Sequence, residues 1–170
     1  MQSRAAHGFT LLEVLVALLV LAVGVLGAAG TQIAALRTRQ GSAQLSTAVR
    51  LASTLADHMR ANGTQDTYLR LDYNAAAGAP PAADSCYGEA GCTSAELAAF
   101  DIHETMQALY LGFPGGRVRV CRDSAASMDW ACSGGTGAPL VIKMGWLRRS
   151  VDGGWRTTPA LALVVDGGAP

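Results

Sequence analysis

The chain has 170 residues, enough for one modest domain, and its 13 basic residues are balanced by 13 acidic ones. A formal net charge of zero argues against a nucleic-acid-binding protein, which needs a basic surface to neutralise phosphates. Half of the residues are hydrophobic, and they are concentrated near the N-terminus. This asymmetry predicts one membrane segment followed by one globular head.

The first predicted element is a helix built on a long apolar run. Over residues 9–29 only Thr10 and Glu13 interrupt the apolar side chains. A helix rises about 1.5 Å per residue, so this run spans roughly 30 Å, the thickness of the hydrocarbon core of a bilayer. A secretory signal has a shorter apolar region of about 7–15 residues, but the small residues at 27–30 keep that alternative open.

Glu13 is the functional candidate within this run. A carboxylate inside a membrane segment costs about 2.5–3.5 kcal/mol on insertion scales. A cut between Gly8 and Phe9 would place Glu13 in the first turn of a helix that begins with an ammonium group, where the helix dipole favours a negative charge. In lipid both charges need a partner, and a neighbouring copy of the segment would supply both. The alternative is that Glu13 lies at the membrane interface, where its cost is small.

Residues 8–27, GFTLLEVLVALLVLAVGVLG, resemble the class III signal of type IV prepilins and pseudopilins. In that family the prepilin peptidase cuts after the glycine and methylates the new N-terminal residue. By this resemblance Gly8 is the cleavage glycine, Phe9 the methylated phenylalanine and Glu13 the glutamate required for assembly. The resemblance also implies that the helix anchors the subunit in the inner membrane, with the head in the periplasm, and later forms the filament core.

The helix is predicted to continue to about Ala61. Apolar residues recur at 3.6-residue spacing from Leu45 through Val49 to Met59, which predicts an amphipathic segment whose apolar stripe is core. Asn62 and Gly63 are predicted to stop the helix because both tolerate the left-handed conformation. The predicted organisation is a leader at 1–8, a membrane or filament-core half-helix at 9–30, an amphipathic half-helix at 31–62 and a head at 63–170.

The head is predicted to hold a second helix and three strands. Residues 64–91 are predicted to be irregular, since glycine and prolines interrupt them, and Thr93 with Glu96 fits the capping box of a helix. The strand candidates are residues 117–121, 140–147 and 155–165. Short glycine-rich linkers favour an antiparallel meander. The fold class is therefore α+β, a long N-terminal helix packed on a small antiparallel sheet, which is also the pilin-like fold that the resemblance implies.

The second helix carries two partly apolar faces, which predicts packing on more than one side. The two faces hold Leu97, Phe100, Glu104 and Ala108, and Ala98, Ile102, Met106 and Leu109. Asp101, His103 and Glu104 are close in sequence, as acid–base catalysis would need. Neighbouring residues of a helix point in different directions, so the interpretation is a solvated helix face.

Four cysteines lie in the second half of the chain, at Cys86, Cys92, Cys121 and Cys132. An even count in a small head behind a membrane segment predicts disulfides in an oxidising compartment. Zinc is the rival interpretation, but structural zinc sites usually separate paired cysteines by two to four residues, and here five and ten residues intervene. Three pairings are possible, of which the pairing of sequence neighbours is the simplest.

Motifs for nucleophilic, phosphate-binding and metal-dependent catalysis are missing from the sequence, so the prediction is a protein that is not an enzyme and needs no cofactor or metal. Residues 55–63, LADHMRANG, the two-cysteine region before a helix and residues 111–116, LGFPGG, resemble the PilV type of minor pilin, a pilus modification protein. That resemblance implies a minor pilin that primes assembly of a type IV pilus, is incorporated into it and supports twitching motility and adhesion.

The implied partners are the prepilin peptidase, other minor pilins, the major pilin, a large tip adhesin and the inner membrane. The implied location is the inner membrane before assembly and the extracellular pilus after it. Two alternatives remain open at this stage. One is a minor pseudopilin of type II secretion, which shares the N-terminal motif, and the other is a membrane-anchored binding module that does not polymerise.

Overall fold

The computed structural model describes residues 8, 10–88, 91–124, 128–135, 137–150 and 152–166. Phe9, the predicted methylation site, and most of the predicted leader lie outside the described residues. The chain divides into two compact units, Met1–Ala43 and Gln44–Pro170. Helix α1, Leu11–Ala61, contributes to both and is continuous through its glycines.

The described part of the first unit is a helix that buries nothing. Residues 10–43 are all exposed, and α1 is the one described helix long and apolar enough to cross a membrane. The hydroxyls of Thr31 and Thr38 donate to carbonyls of their own helix at 2.8 and 3.1 Å. These bonds satisfy polar groups that would otherwise lack a partner in lipid. A helix that is apolar on all sides is typical of a membrane or filament interior.

In the second unit, the end of α1 supplies one wall of the core. Its buried residues are Ala48, Ala52, Leu55, Ala56 and Met59, which confirms the predicted 3.6-residue stripe at those positions. The prediction was wrong for Leu45 and Val49, which are 44% and 46% exposed. Leu45 precedes Ala48, the first buried residue of the stripe, whereas Val49 follows it.

The head contains a four-stranded antiparallel sheet in the order β1-β2-β3-β6. Its strands are β1 Asp72–Asn74, β2 Arg117–Arg122, β3 Leu140–Gly145 and β6 Leu161–Asp166. The chain between β3 and β6 forms a separate two-stranded hairpin of β4 Arg148–Arg149 and β5 Trp155–Arg156. The helices are α2 Gln65–Tyr68 and α3 Ser94–Gly112. The predicted α+β fold and antiparallel meander are confirmed.

Two expectations about the chain between α1 and α3 were wrong. The segment predicted to be irregular contains α2 and β1, and it inserts Tyr68 and Leu71 into the core at 0% and 3% exposure. Helix α1 does end at Ala61, but the predicted reason fails, because the described residues with positive φ do not include Asn62 or Gly63. Outside this region, the third predicted strand, at 155–165, forms two separate strands, β5 and β6.

Strand β3 is the centre of the head and is buried along its whole length. One face places Leu140, Ile142 and Met144 in the core beside α1 and α3, and Trp146 continues that face at 3% exposure. The other face carries Lys143, which is 1% exposed. A central strand covered on both faces explains why its residues do not alternate between buried and exposed.

Candidate functional site

Gly8 precedes the first residue of α1 by three positions. A Cβ atom built on Gly8 would meet no atom within 4 Å, and Gly8 is not among the glycines with positive φ. The described fold of the chain therefore imposes no need for glycine at this position. A requirement for glycine at this position must therefore come from another molecule that binds this segment.

Thr10 and Glu13 form a reciprocal cap at the start of α1. The amide of Thr10 donates to Glu13 Oε2 at 3.3 Å, and the amide of Glu13 donates to Thr10 Oγ1 at 3.3 Å. The hydroxyl of Thr10 also lies 3.4 Å from the same carboxylate oxygen. This is the geometry of a capping box, in which two otherwise unpaired amides are satisfied. The T-x-x-E pattern at 10–13 signals this cap, as the same pattern does at 93–96.

The segment 55–63, LADHMRANG, joins α1 to the rest of the head. Leu55, Ala56 and Met59 are 0–2% exposed in the core. Arg60 reaches the other end of the chain, because its Nε donates to the carbonyl of Val165 in β6 at 3.1 Å. The apolar and polar residues of this segment therefore have separate structural roles.

Asn62, the residue after α1, is held in place by its side chain. Its amide nitrogen Nδ2 donates to the carbonyl of Ser94 at 2.7 Å, and its Oδ1 accepts from the amide and the hydroxyl of Thr64. Asn62 is only 7% exposed. These bonds hold the backbone just past Ala61 in place without a left-handed residue.

A buried carboxylate links α1, α2 and α3. Asp101 is 7% exposed, and its Oδ2 accepts a 2.6 Å hydrogen bond from the hydroxyl of Tyr68. Its Oδ1 lies 2.9 Å from Nδ1 of His58, whose side chain is 48% exposed. Burial, followed by this hydrogen bond, raises the pKa of the Tyr68 hydroxyl well above its ordinary value. The interpretation of a solvated face at Asp101 was therefore wrong, since the residue is a polar junction between three helices.

The predicted two-sided packing of α3 was correct only in part, since Tyr87 contacts Phe100 on the face that the core does not cover. The buried residues of α3 are Ala98, Asp101, Thr105 and Leu109. Ile102 and Met106 pack partly against the core, whereas Glu104 and Ala108 are exposed and Leu97 is 41% exposed. The core covers one face only, and the face that carries Leu97 and Phe100 borders a cleft.

The structure joins Cys86 to Cys92 and Cys121 to Cys132. The first disulfide closes the loop before α3, where Thr93 and Glu96 form the predicted capping box. The backbone amide of Thr93, and then its hydroxyl, holds the pKa of Glu96 below its ordinary value. The second disulfide ties the end of β2 to the segment that follows it.

Lys143 is a buried charge that the sequence did not reveal. Its ammonium forms an ion pair with Asp123, both side chains being 2% exposed. It also donates to the carbonyls of Asp129 and Ala131 at 2.9 and 2.6 Å. An ammonium group has three hydrogens, and each has an oxygen partner here. Lys143 thus fastens the segment closed by the second disulfide onto the outer face of β3.

The turn between α3 and β2 needs its glycines. Gly115 has a φ of +57°, and a Cβ on Gly116 would lie 2.7 Å from Cγ of Leu109. The turn seats Phe113 against the ring of Trp146, with centroids 5.1 Å apart. The stretch 111–116, LGFPGG, therefore sets the close approach of α3 to the sheet.

The described residues contain no group of three or more His, Cys, Asp or Glu placed to hold a metal ion. Two family models match adjacent parts of the chain: "Prokaryotic N-terminal methylation motif" matches residues 3–29, and "Type IV pilin Tt1218" matches residues 30–103. Together with the long helix and the small antiparallel sheet, these matches support a type IV pilin-like protein. They also fit a membrane-anchored protein that is later assembled into a pilus. No curated protein and no solved structure matches the chain.

Proposed function

We propose that this pilin-like chain is a minor pilin that primes assembly of a type IV pilus and is incorporated into it. The observation that carries the proposal is the succession of the two family matches, in which a methylation motif at 3–29 leads directly into a type IV pilin match at 30–103. The exposed apolar helix supports it, because such a surface needs lipid or other helices around it.

The first proposed step is cleavage between Gly8 and Phe9 by the prepilin peptidase, followed by methylation of Phe9. Gly8 has open space around it and no conformational need for glycine. Its small size is then a requirement of the peptidase rather than of the fold. Cleavage removes the leader at 1–8 and leaves residues 9–30 as the membrane anchor, with residues 31–62 connecting it to a periplasmic head at 63–170.

The second proposed step is charge pairing at the new N-terminus. In the single chain, Thr10 alone supplies the hydrogen bonds to Glu13 that the structure describes. After cleavage, the ammonium of Phe9 in a neighbouring subunit provides a full positive charge. Pairing the two neutralises both charges in a low-dielectric filament core. Glu13 would then exchange a local cap for a contact between subunits.

The assignment to a minor pilin depends on the segment 55–63 and its resemblance to the PilV type. Its residues fasten α1 to the head through Leu55, Met59, His58 and Arg60. The proposed partners are other minor pilins, the major pilin and a large tip adhesin. Twitching motility and surface attachment would follow from incorporation, with the mature chain in the extracellular pilus.

The test is the intact mass and N-terminal sequence of the protein purified from its native membrane. A chain that begins with methylated Phe9 is the expected result. A chain that begins at Met1, or one cut near Ala29, contradicts the proposal. Recovery of the processed chain with pili sheared from the cell surface would separate a pilus subunit from a type II secretion pseudopilin, which stays in the periplasm.

A further inference from the structure

A cleft of about 330 Å³ opens between α1 and α3 beside the Cys86–Cys92 loop. Its walls are mostly apolar, and they include Ala61, Leu97 and Phe100. Tyr87 stands against Phe100 edge to face, with ring centroids 5.1 Å apart, and is itself 83% exposed. The cleft is large enough for one aromatic side chain, and its rim holds apolar surface that the core does not cover.

His58 contributes to the cleft a polar atom with hydrogen-bonding capacity to spare. A carboxylate only accepts, so the 2.9 Å contact between Asp101 Oδ1 and His58 Nδ1 places a hydrogen on Nδ1. In the neutral ring, Nε2 of His58 is then an acceptor. The side chains of Asp101 and Asn62 already have their partners. A ligand of this cleft therefore needs an apolar body and one hydrogen-bond donor.

The surroundings of the cleft are acidic. Residues 44–116 contain three basic and eight acidic residues, whereas residues 117–166 contain seven basic and four acidic ones. Glu104 is exposed on the same face of α3 as Leu97 and Phe100. The part of the head that contains the cleft is therefore acidic, and the part that follows it in the sequence is basic. A ligand that carries positive charge beside its apolar body is favoured in the cleft.

The hairpin formed by β4 and β5 carries an exposed apolar side chain, a hydrogen-bond donor and positive charge. Trp155 is 65% exposed and carries an indole N–H donor. Arg149 lies directly across the ribbon from it, and Arg156 follows it in β5. Among the described residues Arg149 makes no ion pair. Tryptophan and arginine together form the typical centre of a protein–protein contact. Tyr110 on α3 is also exposed, but residues 71–116, the stretch of sequence around it, contain no arginine.

We propose that Trp155 of one copy of this chain enters the cleft of a second copy. The indole N–H donates to His58 Nε2, and Arg149 lies against Glu104 of the second copy. The contact joins two different surfaces, so it is heterologous and can repeat from head to head. One side chain in one cleft gives a weak contact, but copies held in the same membrane or filament meet at high effective concentration. The contact does not depend on cleavage at Gly8.

The test uses the full chain in phospholipid vesicles, with Trp155 replaced by the photocrosslinker p-benzoylphenylalanine. Illumination is expected to produce cross-linked dimers whose joined peptides come from the cleft walls, at residues 55–62, 86–87 or 94–104. Cross-links to other parts of the chain, to lipid only or to a different protein in native membranes would overturn the proposal. The same crosslinker at Tyr110 is the control and is expected to give no dimers joined through those peptides.

Charge exchange gives a second, independent measurement. Arg149→Glu and Glu104→Arg are each expected to lower the yield of the cleft cross-link about tenfold, and their combination is expected to restore it. Arg149→Glu combined with Asp66→Arg is not expected to restore it, because Asp66 lies on α2 and does not line the cleft. All these residues are exposed, and formation of both disulfides, checked by mass, shows that each variant has folded. Failure of the combination to restore the yield contradicts the contact even when the chain is processed and incorporated normally.

Discussion

The hydroxyl of Tyr68 donates a 2.6 Å hydrogen bond to Oδ2 of Asp101, and both residues are buried in the head. Tyr68→Phe removes the donor and leaves a buried carboxylate oxygen without it. We expect the free energy of unfolding of the head to fall by about 1.5–3 kcal/mol, as for hydrogen bonds to charged groups. Urea unfolding followed by tryptophan fluorescence measures this. Tyr110→Phe, at a 42% exposed position, should change stability by less than about 0.5 kcal/mol, and an equal loss in both variants would contradict the prediction.

The same tyrosine makes the head sensitive to alkali. Burial, with the neighbouring Asp101 carboxylate, raises the pKa of Tyr68, so the folded head keeps a proton that the unfolded chain releases near pH 10. The stability due to this difference is complete below that pH and is lost as the pH rises above it. Between pH 9 and pH 11 the free energy of unfolding should therefore fall more steeply for the natural chain than for Tyr68→Phe. Parallel falls in the two proteins would rule out this assignment.

Local patterns allowed much of the fold to be predicted. The apolar spacing that ends at Met59, the T-x-x-E pattern at Thr93 and the alternation of β2 and β6 each concern residues within one element. The N-terminal methylation motif was equally recognisable, because the matched residues 3–29 form one uninterrupted stretch. In these cases the physical cause acts over a few neighbouring residues, so the sequence alone contains it.

Contacts between distant residues could not be predicted in the same way. Asp101 is buried because Tyr68, 33 residues earlier, supplies a donor, and neither residue signals the other. Lys143 likewise looks like a solvent-exposed residue of a strand until the segment after β2 folds over it. The side-chain cap at Asn62 depends on the carbonyl of Ser94, 32 residues away. Burial of polar groups is decided by partners that tertiary structure brings together, so helix and strand periodicity misplace them.

The buried pair of Lys143 and Asp123 leads to a third prediction. Lys143→Met leaves the Asp123 carboxylate buried without its cation, and the free energy of unfolding should fall by about 3–5 kcal/mol. The double variant Lys143→Met with Asp123→Leu removes both charges and should recover most of that loss. Urea unfolding of the three proteins gives the comparison. Recovery is expected to be incomplete, because the carbonyls of Asp129 and Ala131 also lose their donor.

The control for this cycle is the partly exposed pair of Arg117 and Asp72 on β2 and β1. Arg117→Met should cost less than about 1 kcal/mol, because exposed ion pairs contribute little. If the double variant at Lys143 and Asp123 were as unstable as Lys143→Met alone, the loss would lie in packing or in the carbonyl contacts, and the ion-pair interpretation would be wrong.

A fourth prediction concerns the cap of α3. Hydrogen bonds from the amide and hydroxyl of Thr93 lower the pKa of Glu96. The stability that this provides is present above the ordinary carboxyl pKa near 4.3 and is lost as the pH falls through the lower value of the folded state. Carboxyl titration by NMR should therefore give a midpoint for Glu96 that moves upward in Thr93→Ala. An unchanged midpoint in that variant would show that the Thr93 hydroxyl does not contribute, because Thr93→Ala keeps the backbone amide that also donates to Glu96.

The last prediction concerns Glu13 and its local partner Thr10. Glu13→Ala removes the charge proposed to pair with the N-terminus of a neighbouring subunit, and a loss of even about 1.4 kcal/mol corresponds to a tenfold change in an equilibrium. We expect incorporation into sheared pili to fall at least about tenfold, with cleavage after Gly8 unaffected, both measured by immunoblot. Thr10→Ala deletes only the capping hydroxyl and keeps the carboxylate, so it should reduce incorporation far less. Normal incorporation of Glu13→Ala would exclude the pairing, and equal losses in both variants would assign the role of Glu13 to the helix cap instead.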